Sequence, residues 1–245
     1  KHVVIVVTAA NAHEGLARSL AKVINKGQII VLSPAYFGGS IIFRKQLEQA
    51  GVDGVEILEL RLLPYAARLV GPAAVGIMGA KTVVHGATLP ACNNKQVFSK
   101  LTPVFPWLRP MSNILEVGIN NINPIGHVPF SLLNLTRVEN IRQDDHFDAD
   151  KWSSNSCVRL IEKLDEERLQ IAEAFRFARI TLDEWNKISY DKKWETHQQI
   201  GPIPPSAATV PPRYITEDVP MGLVSLSQLG HQLGIPTPLC DGLIE

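Results

Sequence analysis

A chain of 245 residues, 45% hydrophobic and 20% charged, can bury a real core in one large domain or two modest ones. Its 24 lysines plus arginines balance 24 aspartates plus glutamates, which argues against a general pull towards nucleic acid or an anionic membrane. Three widely spaced cysteines, Cys92, Cys157 and Cys240, argue against a disulfide framework or a paired-cysteine metal site and fit a reducing, cytoplasmic compartment. No apolar run reaches the roughly 18 residues of a membrane span, and no signal peptide precedes the first strand.

The run Val3-Val4-Ile5-Val6-Val7 is β-branched throughout, the mark of a strand covered on both faces. Thr8-Ala9-Ala10-Asn11 then turns into a helix with Leu16, Leu20, Val23 and Ile24 on one face, closed by Lys26-Gly27. Residues 28–32 form a second strand, apolar after Gln28, so strand, helix and strand make a right-handed parallel crossover. Ser33-Pro34-Ala35-Tyr36 leads to a helix ending near Gly51, and residues 55–60, 73–78 and 82–85 read as strands. A helix is expected over 95–105.

After His127 the texture becomes helical. Residues 156–177 place Leu160, Leu164, Ile171 and Phe175 on one side, with Asp165-Glu166-Glu167-Arg168 as the charged face. Shorter helices are expected around 182–188 and 192–199, a loop with five prolines over 201–212, and a last helix over 220–234. The whole reads as the second half of a Rossmann-type parallel sheet followed by an all-α part, with the boundary near residue 122. The chain opens directly in a strand and closes in an apolar stretch, so both ends read as cut.

Three places carry chemistry. In Asn123-Pro124-Ile125-Gly126-His127-Val128-Pro129, two prolines put His127 on a stiff, non-helical approach to a helix, where an imidazole suits proton transfer near neutrality. A histidine that caps or packs at a helix start is the plainer reading. In Arg213-Tyr214-Ile215-Thr216-Glu217-Asp218-Val219-Pro220, Arg213 can bind a carboxylate in bidentate fashion and Asp218 can orient an imidazole, although Thr216, Glu217 or Asp218 before Pro220 is also what an ordinary helix cap looks like. The strand ends at Thr8, Ala9 and Pro34 are where a parallel sheet binds ligands, yet small residues there occur in any such fold. No G-x-G-x-x-G follows a strand. His13 and His85 follow strands; His2, His146, His197 and His231 look like surface residues. Asp144-Asp145-His146 is explained by a solvated acidic turn as well as by a metal cluster, and no metal site is expected.

These stretches resemble the opine dehydrogenases, the octopine/nopaline dehydrogenase group. The likeness runs through Asn123-Pro124-x-x-His127-x-Pro129, Asp165-Glu166-Glu167-Arg168-Leu169 and Arg213 to Asp218, more weakly through Leu63-Pro64-Tyr65-Ala66-Ala67-Arg68, and ends with Leu233-Gly234-Ile235-Pro236-Thr237-Pro238. It covers nearly the whole chain in order.

The resemblance implies a partial dinucleotide-binding domain over 1–122 and a helical substrate domain over 123–245. It implies NAD or NADP as cofactor and reductive condensation of an amino acid with a 2-keto acid such as pyruvate. His127 and Asp218 would be the catalytic pair, with Arg213, Asn123 and Tyr65 at the substrate and Thr8, Ala9 and Pro34 at the cofactor. No nucleic-acid or membrane partner is expected, and a homodimer is left open. The family's glycine-rich first unit and its C-terminal extension are missing, so the chain is expected to be a fragment that binds dinucleotide poorly alone. Two other readings stand beside this one. A ketopantoate or glycerol-3-phosphate type reductase would need a catalytic lysine, and none stands near His127. A binding or scaffold remnant would need no chemistry at all.

Overall fold

The structure, a computed structural model, describes residues 2–140, 152–190 and 212–245. The chain divides into two compact units, one of Lys1–Pro64 with Val83–Asn121 and the other of Tyr65–Thr82 with Ile122–Glu245.

The first unit is built on a five-stranded sheet ordered β1-β2-β3-β6-β7, comprising β1 (Val3–Val6), β2 (Ile29–Leu32), β3 (Glu56–Leu60), β6 (Val84–Leu89) and β7 (Leu108–Pro110). Neighbours run parallel except β3 and β6, which are antiparallel, so the expected Rossmann-type parallel sheet carries one antiparallel pair. Strand β2 explains its unbroken apolar run. Ile30 and Leu32 enter one core with Phe43 and Leu47 of α2 (Gly39–Gln49) and Ala17 of α1 (His13–Leu20). Ile29 and Val31 enter a second core with Val97, Phe98 and Leu101 of α3 (Asn94–Leu101). Both faces are covered, so alternation vanishes from the sequence.

Strand β1 departs from that pattern. It lies at the sheet edge, Ile5 is 50% exposed, and only Val6 is fully buried. Helix α1 also stops earlier than expected, at Leu20. Tight turns from Val23 and Ile24 back to the Leu20 carbonyl swing Ile24 into the core and leave Val23 outside. Helix α4 (Ile114–Ile119) and strand β7 are short elements that the sequence reading did not contain.

The second unit starts with a hairpin, β4 (Tyr65–Gly71) and β5 (Ala74–Ala80); β4 had no expected counterpart. Its far end is tied to α8 (Leu182–Tyr190) by the Thr82 amide, which donates to the Ser189 carbonyl at 2.8 Å. The remaining helices are α5 (Asn123–Leu133), α6 (Leu135–Glu139), α7 (Asn155–Ala174), α9 (Arg213–Thr216), α10 (Val224–Leu233) and α11 (Pro238–Ile244), with a π-helical turn over Val219–Leu223. The expected final helix over 220–234 therefore begins as that π turn, and α11 is an addition. The expectations for 192–199, for the proline-rich loop up to residue 211, for Asp144 to His146 and for His197 lie outside the described residues.

Two expectations are corrected here. His127 lies inside α5, not on a non-helical approach, and Pro129 lies inside it too. A proline in a helix interior costs about 3 kcal/mol. Burying Ile125, Val128 and Phe130 is worth about 1.5–3 kcal/mol each, so packing outweighs the lost hydrogen bond. Nor are Asp165, Glu167 and Arg168 a solvated face, since each is less than a tenth exposed. Asp165 accepts from Arg168 Nε at 2.7 Å and from the first amide of α8, at Leu182, at 2.8 Å. Arg168 also donates to the Ile180 carbonyl, and Glu167 accepts from the Leu239 and Cys240 amides at the start of α11. Helix starts leave amides without partners, and carboxylates from α7 supply them. Only Glu166 of the four stays outside, paired with Arg179.

Candidate functional site

The site assembles in the second unit from α5 and the segment around α9. Gly222 allows it. A Cβ built there would fall 2.7 Å from Pro124 Cβ and closer still to Cγ, so only glycine lets the π turn approach the start of α5 so closely. One turn after Pro124 comes His127; one turn before Gly222 comes Asp218. Their side chains meet, with His127 Nδ1 2.9 Å from Asp218 Oδ2.

The two groups differ in exposure. The Asp218 side chain is fully buried and that of His127 is 24% exposed. A buried carboxylate is stabilised by a donor, and Nδ1–H supplies one. With the proton on Nδ1, that bond leaves Nε2 as the nitrogen able to accept one, and a carboxylate so placed can stabilise an imidazolium. Asp218 precedes the π turn, but its side chain makes no cap hydrogen bond there. Of the two readings open for this residue, the structure realises the imidazole partner.

Tyr214 stacks flat on the His127 ring, with centroids 3.6 Å apart and planes 6° from parallel. Arg213 stands beside it, its guanidinium carbon 5.5 Å from the Tyr214 ring centre and Nη1 3.7 Å from Oε2 of the buried Glu217. Arg213 remains 38% exposed. Asn123 is the first residue of α5, one turn from His127 and on the same face. Arg213, Asn123, His127 and Asp218 thus belong to one neighbourhood. Tyr65 stands at the outer end of β4, opposite Ala80 and 48% exposed. Among the described residues no hydrogen bond, ion pair or ring contact ties it to the pair.

Sequence reading missed Tyr214 as part of the site, although the four-residue spacing of Tyr214 and Asp218 is the signal that both face one way on a helical turn. Glu217 was also missed. Its burial has no sequence signature beyond the arginine four positions earlier.

In the first unit, Thr8 and Ala9 follow β1 and are exposed, while Pro34 follows β2 and is buried. A shallow groove of about 600 Å³ runs from Thr8 past Asn11, Gly15 and Ser19. The turn after β2 is pinned to both neighbours, with the Ser33 amide on the Val6 carbonyl and the Ala35 amide on the Leu60 carbonyl. These strand ends lie where a parallel sheet offers backbone to a ligand. The glycine-rich pyrophosphate turn is absent from the sequence. Beneath them, Glu59 Oε1 accepts from the Ser40 amide at 2.7 Å and closes the start of α2. Burial pushes the Glu59 carboxyl up to about 7, against that stabilising hydrogen bond. His13 is buried against Gly39 and lowered by burial. His85 falls to about 4 through burial, then through Arg61 and Arg109. Both are neutral at neutral pH. Among the described residues no cluster of His, Cys, Asp or Glu is arranged to hold a metal ion, and no helix is long and apolar enough to cross a membrane.

Comparison with known proteins adds an independent line. The sequence model of the NAD/NADP octopine/nopaline dehydrogenase alpha-helical domain matches residues 110–245. The opine dehydrogenase of Arthrobacter sp. is 31% identical over 99% of this chain and 69% of its own length. The vitopine synthase of Allorhizobium ampelinum is 24% identical over 96% of this chain and 66% of its own. A solved octopine dehydrogenase with NADH and pyruvate superposes with a TM-score of 0.74 at 20% identity, covering 99% of this chain and 66% of that one. The chain thus spans about two thirds of the length of these relatives, and the structural match, at that identity, establishes the fold.

Proposed function

As the chain belongs to the NAD/NADP octopine/nopaline dehydrogenase family, we propose that the full-length protein is an opine dehydrogenase, joining an amino acid to a 2-keto acid such as pyruvate by reductive condensation. The observation that carries this is the buried Asp218 carboxylate holding the His127 imidazole at 2.9 Å, with a half-exposed guanidinium one residue from the stacked tyrosine.

The residue types match the steps. His127 gives the proton on Nε2 to the keto-acid carbonyl oxygen as the amine adds. It takes a proton back from the ammonium nitrogen, and returns one to the hydroxyl that leaves as water, giving the protonated imine. A single group near neutrality serves all three transfers. Asp218 holds the tautomer and balances the imidazolium. Arg213 grips a substrate carboxylate as a planar, two-pronged donor, and Asn123 offers an amide on the same helix face as His127. Thr8 and Ala9, with Pro34 shaping the turn beside them, would hold the nicotinamide side of the cofactor. When bound, that cofactor supplies the hydride for the imine carbon. Three unpaired cysteines fit a cytoplasmic enzyme.

The test is a coupled-substrate assay on the full-length protein. NADH or NADPH is offered with pyruvate, with and without a panel of amino acids. Oxidation that requires both amine and keto acid supports the reading. Oxidation with the keto acid alone makes the protein a simple reductase, and none with any pair removes the activity. Light scattering on the same preparation tests the homodimer.

A further inference from the structure

Tyr214 takes no chemical part in the steps above, yet its side chain is buried within the site. Its ring covers the face of the His127 imidazole at 3.6 Å while Asp218, four residues later, holds the Nδ1 edge. The phenol ring is itself fixed, packed with Phe130, Trp152 and Cys157. One short turn of chain therefore holds the same imidazole by face and by edge.

We infer that Tyr214 is a positioning residue for His127, a flat platform that sets the imidazole plane and favours its cationic state. The inference deepens the acid–base role proposed for His127 and rests on it. Two physical effects carry it. The face of an aromatic ring is electron-rich, so it attracts an imidazolium, while a neutral imidazole gains dispersion alone. A hydrogen bond at Nδ1 fixes one edge of the ring and does not by itself set the ring plane. A parallel surface at van der Waals distance sets that plane and aims Nε2, and small errors in aim cost rate steeply.

Among the described residues, the charged groups on elements packed against α5 lie as follows: on α6, Arg137 covers the Trp152 ring and Glu139 is exposed. On its own side of the site, Asp218 contacts Nδ1 and Arg213 pairs with Glu217 beyond the Tyr214 ring. From α7, which also packs on α5, Asp165, Glu167 and Arg168 are turned to the starts of α8 and α11 and the Ile180 carbonyl. Cys157 of α7 lies beneath Tyr214, and burial raises its thiol, which stays neutral.

The experiment follows the His127 ring by NMR in full-length protein with labelled histidine, the signal assigned with His127→Gln. Tyr214→Phe keeps the platform, and Tyr214→Met removes it at similar volume. In folded Tyr214→Met the His127 pKa should fall by about half a unit, because the lost partner favoured the charged form. The acid limb of kcat/KM against pH should move the same way. Tyr214→Phe should keep both. An unchanged pKa in folded Tyr214→Met overturns the proposal, as does an equal fall in Tyr214→Phe. Should Tyr214→Met not fold, wild type and Tyr214→Phe decide: their His127 ring protons should be displaced upfield by the stacked ring, and undisplaced protons overturn it. The titration needs no substrate. A protein that shows the shift yet condenses no substrates sinks the functional reading and leaves the platform standing.

Discussion

Gly222 meets Pro124 at a separation that leaves no room for a side chain, and that contact sets the spacing between the helix carrying His127 and the turn carrying Asp218. Gly222→Ala must push the two apart. It should cost about 1–3 kcal/mol in urea unfolding, the usual scale for overpacking, and should lower kcat. Pro124→Ala introduced with it should recover part of the stability, because the two changes touch the same space. Strictly additive losses in the double variant would show that the contact is not shared.

His127→Ala should lower turnover by about 10² or more, the usual scale for losing a general acid–base group. Asp218→Asn preserves the shape but lets the wrong tautomer form, so a loss of similar order is expected in steady-state assays. Wild-type turnover in either variant would remove the pair from the reaction.

Arg213→Ala should act chiefly on the apparent KM of the carboxylate substrate, with a smaller change in kcat. Arg213→Lys should restore little, because an ammonium cannot grip a carboxylate with two parallel bonds. Initial rates over a range of keto-acid concentrations separate the two constants.

Replacing an ion of α7 should be felt in stability more than in catalysis. Asp165→Ala leaves the Arg168 guanidinium buried without its carboxylate and the start of α8 without its acceptor. A loss of about 3–5 kcal/mol is expected by chemical denaturation. Glu166→Ala, one position along and solvent-facing, should cost under about 1 kcal/mol.

Glu59 gives the first unit a pH dependence with a defined sign. Its folded pKa is raised to about 7 from 4.5, so the folded state binds the proton more tightly than the unfolded state. Stability from this group is full below 4.5 and lost as pH rises to about 7, on the order of 3 kcal/mol in all. Glu59→Gln should be free of that loss. Urea unfolding of both proteins at pH 5 and pH 7.5 should show the difference between them changing in that direction.

The sequence displayed some of this plainly and hid the rest for physical reasons. Strand β2 was legible because burial on both faces writes a continuous apolar run. Strand β4, with Tyr65-Ala66-Ala67-Arg68, has neither alternation nor a β-branched run and gave no signal. Helix α5 was obscured by its prolines, since local stiffness argues for a break and only tertiary packing against α7 overrules it. The ions of α7 misled in the opposite direction: charge on a helix usually means water, and the helix starts that bury Asp165 and Glu167 lie 17 and about 72 residues away. His127 and Asp218 stood out as residue types, but their meeting across 91 positions came from a family likeness. Tyr214 sat inside a quoted motif and still went unremarked, because a ring stack has no pattern in one dimension.

The bonds from α7 to the first amides of α8 and α11 make one helix the registration pin for two others. If α7 slips or frays, both neighbours lose their anchors in the same event. The amides of Leu182, Leu239 and Cys240 should therefore exchange with deuterium at a common rate, opening only when α7 opens, as a single cooperative block and not as three separate fraying ends.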